Sequence, residues 1–297
     1  MEFGIIPPVR MGVTADPGWI RSFAEMVEGC GFESIVAVEH AVVISDYTSR
    51  YPYATSGRMP LPDDCNIPDP IDLLAFLAAV TDRITLSTGV LVAPNHQPVV
   101  LAKRIATLDA LSKGRVRMCL GVGWMEEELR ATGADPRTRG RRMDETIKAM
   151  RVLWADSGPA GADFEGEFVE FHHAHSFPKP HQPGGVPLHI GGHSEAAARR
   201  AGRLGDGFQP LGLAPEELAL RLEQMREAAV AAGRDPEAIE LSLSGYLPTT
   251  TEDDVVRAEA QGVRRLLVST SMSDDLDAIA NEVQAFAARF GLSTSSG

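Results

Sequence analysis

The chain has 297 residues, 44% of them hydrophobic and 23% charged, the composition of an ordinary globular protein rather than of a disordered or fibrous chain. With 28 Lys and Arg against 41 Asp and Glu, its formal net charge is −13. Such a surface repels phosphate backbones and anionic lipid, which argues against nucleic-acid and membrane partners. The longest apolar runs, such as residues 73–80, fall far short of the ~20 residues a membrane-spanning helix needs. The start, Met1-Glu2-Phe3-Gly4-Ile5-Ile6, has no basic leader, so a cytoplasmic protein is expected. Cys30, Cys65 and Cys119 are widely spaced; they fit reduced thiols and offer no metal-binding pair.

Short β-branched runs alternate with amphipathic helical stretches almost to the end of the chain. Strand candidates cover residues 3–6, 34–38, 84–92, 115–122, 187–190, 207–210, 239–244 and 264–269. The fourth alternates cleanly, with Val116, Met118, Leu120 and Val122 on one side. Between strands three and four, Leu101, Ile105, Leu108 and Leu111 form one helical stripe, and in the last helix Leu276, Ile279, Val283, Phe286 and Phe290 do the same. Asp16-Pro17 and Asp69-Pro70 read as an N-cap followed by Pro at the first helical position, and Ser194 stands where a cap belongs.

Eight strand-then-helix units point to parallel strands with right-handed crossovers. An open doubly wound sheet fits this pattern and so does a closed eightfold barrel; the length and the count of eight favour the barrel. No linker or internal repeat divides the chain, so one domain over residues 1–297 is expected. Two segments exceed the minimal unit. Residues 41–68, after strand two, carry Tyr47, Tyr51 and Tyr53 among Pro52, Pro60, Pro62 and Pro68 and read as a lid. Residues 156–186, before strand five, are rich in aromatics and His, and read either as a binding loop or as a surface hairpin that only packs. Residues 293–297 read as a disordered tail.

In a barrel, the carboxyl ends of the strands converge on one pocket. Here those ends hold Glu39 and His40, Gly89 and Val90, Gly121 to Glu126, Gly191 to Ser194, Gln209 and Tyr246. No metal is expected. Strands one and eight end in Pro7-Pro8 and Ser269-Thr270-Ser271, where a metal-dependent hydrolase needs a His-x-His and an acid. The histidines at 172, 173, 175 and 181 lack the helical spacing of a ligand pair. Gly191-Gly192-His193-Ser194 follows a strand and opens a helix, which makes either an anion site or a plain tight turn. Gly121-x-Gly123 starts like a dinucleotide fingerprint, but Glu126 replaces its third glycine. His40 is either a hydrogen-bonded core residue or a catalyst. Arg137, Arg139, Arg141 and Arg142 form either a solvated helix start or an anchor for an anionic ligand tail.

The stretch Gly114-Arg115 through Gly121-Val122-Gly123-Trp124-Met125-Glu126-Glu127-Glu128 resembles the GR-x5-GxGW-x2-EE signature of luciferase-like oxidoreductases. Further likenesses are Ser176 to Gln182, Ile190 to Ser194, Gly205-Asp206-Gly207, Arg142-Met143-Asp144-Glu145 and Val152-Leu153-Trp154. Their order and spacing are similar to those of the coenzyme F420-dependent (deazaflavin) branch of the luciferase-like monooxygenase superfamily. That resemblance implies a (β/α)8 TIM barrel with insertions after strand 2 and before strand 5. It also implies a homodimer, a small-molecule substrate, and coenzyme F420, or alternatively FMN, at the carboxyl ends of the strands. The cofactor would meet Glu39, His40, Gly89, Val90, Gly123, Gly191, Gly192, His193, Ser194 and Gln209. A non-proline cis peptide is implied at Gly89–Val90, under one face of the ring. His40 and Glu126 would be the catalytic pair, because an imidazole titrates near neutrality. Related sugar-phosphate dehydrogenases grip their substrate with Thr and Lys after strand six. Here that stretch is Gln209-Pro210-Leu211-Gly212-Leu213-Ala214, which implies a more apolar substrate. The reaction expected is hydride transfer between F420 and such a substrate; the alternatives are an FMN-dependent monooxygenase and a non-catalytic flavin or deazaflavin binder.

Overall fold

The structure is a computed structural model that describes residues 1–293; the expected tail lies, but for Ser293, outside the described residues. In chain order the elements are β1 (Glu2–Ile6), α1 (Pro17–Gly29), β2 (Ser34–Ala37), α2 (Pro70–Ala78), β3 (Thr85–Thr88), β4 (Leu91–Val92), α3 (Pro98–Leu111) and β5 (Val116–Gly121). There follow α4 (Glu126–Ala131), α5 (Arg139–Trp154), β6 (Ala162–Glu165), β7 (Glu170–Ala174), β8 (Leu188–Gly191), α6 (Glu195–Leu204) and β9 (Gly207–Gln209). The last are α7 (Pro215–Ala231), β10 (Glu240–Tyr246), α8 (Glu252–Ala260), β11 (Val263–Ser269) and α9 (Leu276–Phe290).

Parallel pairings run β1–β2, β2–β3, β3–β5, β5–β8, β8–β9, β9–β10, β10–β11 and β11–β1. The ring closes, and the fold is the (β/α)8 TIM barrel. One expected strand is split. Residues 84–92 form β3 and β4 with a kink between them, and the Gly89–Val90 peptide bond in the kink is cis. β4 then pairs with the upper half of β5.

Alternation along the strands sorts the side chains. Val116, Met118 and Leu120 of β5 join Phe3, Ile5, Leu188, Ile190 and Phe208 in the core between sheet and helices. Phe286 of α9 meets Phe3 edge to face at 5.1 Å. The caps expected from sequence are in place: Asp16 accepts from the Trp19 amide, Asp69 from those of Ile71 and Asp72, and Ser194 from that of Ala197. Leu111 departs from its expected stripe. It ends α3 in solvent, while Leu101, Ile105 and Leu108 are buried.

The amino-terminal end of the barrel is plugged by ions. Arg117 meets Glu33, and Arg265, 3% exposed, meets Glu2, Glu33 and Glu240. Burial alone would raise the Glu33 carboxyl, but Arg117 and Arg265 hold it down at about 2. His189 lies deep beside this network, and its burial, reinforced by the two arginines, drives it toward the neutral form.

Residues 156–186 contain the antiparallel hairpin β6–β7. Its His172 bonds Glu170 on the exposed hairpin surface. Residues 41–68 contain no helix or strand. Among the described residues no helix is long and apolar enough to cross a membrane, and no three His, Cys, Asp or Glu side chains cluster as a metal ion requires.

Candidate functional site

The carboxyl end of β2 delivers Glu39 and His40 side by side, and alternation sends them to different partners. Glu39 is buried, and both its oxygens are engaged: one accepts the Val92 amide, the other meets His96 Nε2 at 2.7 Å. It is a clamp that ties β2 to the backbone just past the cis bond. His40 turns the other way. Its Nδ1 lies 3.0 Å from Oε2 of Glu128, while Oε1 of Glu128 accepts the Ala41 amide at 2.7 Å. No side chain or backbone group among the described residues bonds His40 Nε2, and that atom is not sealed from solvent.

The glutamate that faces His40 is Glu128, not Glu126. Glu126 opens α4 on the outside, where its carboxylate pairs with Arg130 at 2.7 Å and Arg139 at 3.7 Å. Glu128 is two residues on, about 200° around the helix, and points inward with 2% exposure. Between them, Glu127 gathers the lid. It accepts from the amides of Thr48 and Ser49 and from both their hydroxyls. Sequence reasoning missed Glu127 and Glu128. The available signal was three consecutive glutamates opening one short helix, which must face three directions.

Residues 47–53 bring a line of rings up to Trp124 and His40. Trp124 packs edge-on against His40, Tyr47 and Tyr51, and Tyr51 against Tyr53. At its tip, the Tyr53 hydroxyl lies 3.3 Å from His193 Nδ1. Burial lowers His193 below its ordinary range and Arg221 adds to this, so at neutral pH it is an uncharged hydrogen-bonding group.

The floor is built around Val90. A Cβ on Gly121 would stand 2.6 Å from Val90 Cγ2, and one on Gly191 2.4 Å from Val90 Cγ1. The side chain beyond the cis bond therefore fills room that strands β5 and β8 leave by ending in glycine. Gly89 lies between Val36 and the Gln209 amide group. Gly123 takes φ +77°, and its missing Cβ would meet Val92 Cγ1 at 2.9 Å. Gly191 thus has a packing reason to be glycine, apart from any anion at the turn. Gly192, His193 and Ser194 follow it at the mouth and open α6, with the Ser194 hydroxyl committed to the Ala197 amide.

Of the arginine group, Arg137 pairs with Asp135, Arg139 with Glu126 and Arg141 with Glu167, all on the surface; Arg142 stacks on Phe168. Exposed apolar side chains stand at or just past the carboxyl ends of four strands: Val42 after β2, Leu211 after β9, Tyr246 at the end of β10 and Met272 after β11.

The profile of the luciferase-like monooxygenase family matches residues 1–293. An uncharacterized protein of Mycobacterium tuberculosis is 39% identical over 170 residues, a segment that spans 57% of this chain and 58% of that relative. The F420-dependent glucose-6-phosphate dehydrogenase of Kineococcus radiotolerans is 30% identical over 240 residues, covering 76% of this chain and 64% of the relative. Among solved structures, an F420-dependent secondary alcohol dehydrogenase in complex with an F420-acetone adduct superposes with TM-score 0.75 at 19% identity, covering 97% of each chain. A monooxygenase from Streptomyces bottropensis superposes with TM-score 0.72 at 24% identity, covering 97% of this chain and 98% of that one. At these identities the two structures attest the fold.

Proposed function

The chain belongs to the luciferase-like monooxygenase family, and from that premise we propose that it is an oxidoreductase moving a hydride between coenzyme F420 and a small, rather apolar organic substrate. The observation that carries this reading is His40: a histidine at the mouth with one nitrogen held by a buried carboxylate and the other open. The names of the relatives support the cofactor, since F420 is the coenzyme of the Kineococcus dehydrogenase.

The residues present fit such a group. Gly121 and Gly191 make room for Val90, whose side chain beside the cis bond floors the mouth as an apolar support for a flat ring, and the turn from Gly191 to Ser194 leads into a helix amino terminus suited to an anionic arm. Bound deazaflavin would supply the carbon that takes or gives the hydride; the protein supplies orientation and electrostatics. Glu39 fixes the bulge through Val92 and His96. Val90 and Gln209 border the ring site, and Tyr51, Tyr53 and Trp124 close it from water. His40 Nε2 exchanges a proton with the substrate oxygen.

Substrate class follows from the segment after β9. Residues 209–214 contain neither a cation nor a hydroxyl, so nothing there grips a sugar phosphate. Leu211, Tyr246 and Met272 instead offer apolar surface at the rim.

A second reading is monooxygenation with FMN in place of F420, in keeping with the name of the family. Anaerobic assays separate the two. Incubation with F420 and a panel of short secondary alcohols, or with reduced F420 and the matching ketones and enones, should show absorbance change at the deazaflavin band. Turnover that requires FMN and oxygen, with none under nitrogen, would replace this proposal by the second reading.

A further inference from the structure

Glu128 is a buried carboxylate that no arginine or lysine among the described residues answers. Its recorded partners are the Ala41 amide at 2.7 Å, the Val42 amide at 3.5 Å and His40 Nδ1 at 3.0 Å. A carboxylate in that state only accepts hydrogen bonds, so the short contact to Nδ1 requires a proton on Nδ1. A neutral imidazole carries one proton; with Nδ1 protonated, Nε2 holds a lone pair. We infer that Glu128 is the positioning residue of this site: it selects the His40 tautomer that presents a proton acceptor at the mouth.

The chemistry follows from that tautomer. When an alcohol is oxidised on the reading proposed above, its C–H bond breaks and the hydride leaves with both electrons for the oxidised deazaflavin that this reading supplies. The O–H bond breaks as well, its electrons form the carbonyl, and the proton goes to His40 Nε2. The imidazolium produced faces the Glu128 carboxylate across 3.0 Å, so the charge created is met where it appears. In the opposite direction Nε2–H returns the proton to the carbonyl oxygen. Ala41 lets the same carboxylate pin the backbone on which His40 stands, so one side chain sets both position and protonation.

Glu128→Gln makes this testable without changing volume. The Ala41 amide requires an oxygen opposite it, which fixes the orientation of the glutamine amide. Its NH2 group then faces His40 Nδ1, which must accept, and the imidazole proton moves to Nε2. The variant therefore turns the atom at the mouth from acceptor to donor while keeping both hydrogen bonds.

Two measurements follow. Long-range 1H–15N correlation spectra of histidine-labelled protein, with the His40 signals assigned by their loss in His40→Asn, should show the neutral ring protonated on Nδ1 in the wild type and on Nε2 in Glu128→Gln. A wild-type ring protonated on Nε2 would overturn the inference outright. In kinetics, Glu128→Gln should lower kcat for alcohol oxidation about 10²- to 10⁴-fold, with the cofactor dissociation constant within about twofold of wild type. Unchanged kcat with a reversed tautomer would also overturn it. The kinetic arm rests on the hydride-transfer reading, whereas the spectra need neither cofactor nor substrate. A wrong reaction class and a wrong tautomer thus give different results.

Discussion

The two ends of this barrel bury carboxylates in opposite ways. At the amino-terminal end, Glu2, Glu33 and Glu240 share Arg265, and Glu33 also takes Arg117. Arginine stays charged at any pH the fold survives, so that network is fixed. At the carboxyl end, Glu39 and Glu128 are far more deeply buried, each side chain 3% exposed against 23% for Glu33, and each meets a histidine, His96 and His40 respectively. A histidine can change protonation state near neutrality and an arginine cannot. The difference teaches where to look for chemistry: charge answered by arginine holds the barrel together, whereas a carboxylate answered by a histidine that opens on the mouth, as Glu128 is by His40, has a partner whose protonation can change.

His40→Ala probes the contrast most strongly. Turnover should fall about 10²- to 10⁴-fold, while stability in urea changes by about 1 kcal/mol, the worth of an ordinary hydrogen bond. Equal losses in the two would make His40 one more part of the scaffold.

Arg265→Met should give the reverse pattern. It leaves three carboxylates around an uncharged side chain, and removal of one partner from such a buried network costs about 3–5 kcal/mol. The kinetic constants of the folded fraction should stay near wild type. This network also sets an acid limit. The Glu33 carboxyl is held at about 2 against an ordinary 4.5. Its pKa is depressed on folding, so its contribution is complete above pH 4.5 and lost as the pH falls from there toward 2. The wild type should lose stability across that window, and Arg265→Met should show a shallower slope when unfolding is followed by circular dichroism.

Much of this architecture is legible in the sequence, because eight apolar runs separated by capped helices leave few closed topologies. Asp16, Asp69 and Ser194 mark helix starts by local chemistry alone, and the alternation from Val116 to Leu120 marks a strand; that its other face is buried too is seen only in the structure. Legibility fails where a contact is made at long range. Residues 84–92 look like one strand, and only the packing of Val90 against Gly121 and Gly191 shows why the chain kinks. The motif points to Glu126 as a catalytic acid, but a linear motif cannot say which of three consecutive glutamates faces His40; the helical turn decides, and so does the loop each one faces. Leu111 fits its stripe in sequence but lies beyond the last turn that the barrel covers.

Gly191→Ala is the smallest of these perturbations and separates the two reasons for that glycine. A Cβ there would sit 2.4 Å from Val90 Cγ1, and overpacking of this kind costs about 1–3 kcal/mol. Adding Val90→Ala should return part of that loss, because the two changes share one space. Strictly additive losses in the double variant would show that Val90 does not need the room.

The most direct test of the account is a fluorescence titration of the purified protein with F420 and with FMN. F420 should be quenched saturably with one site per chain, and FMN should bind more weakly. Saturable binding of FMN with none of F420, or no saturable binding of either, would contradict it.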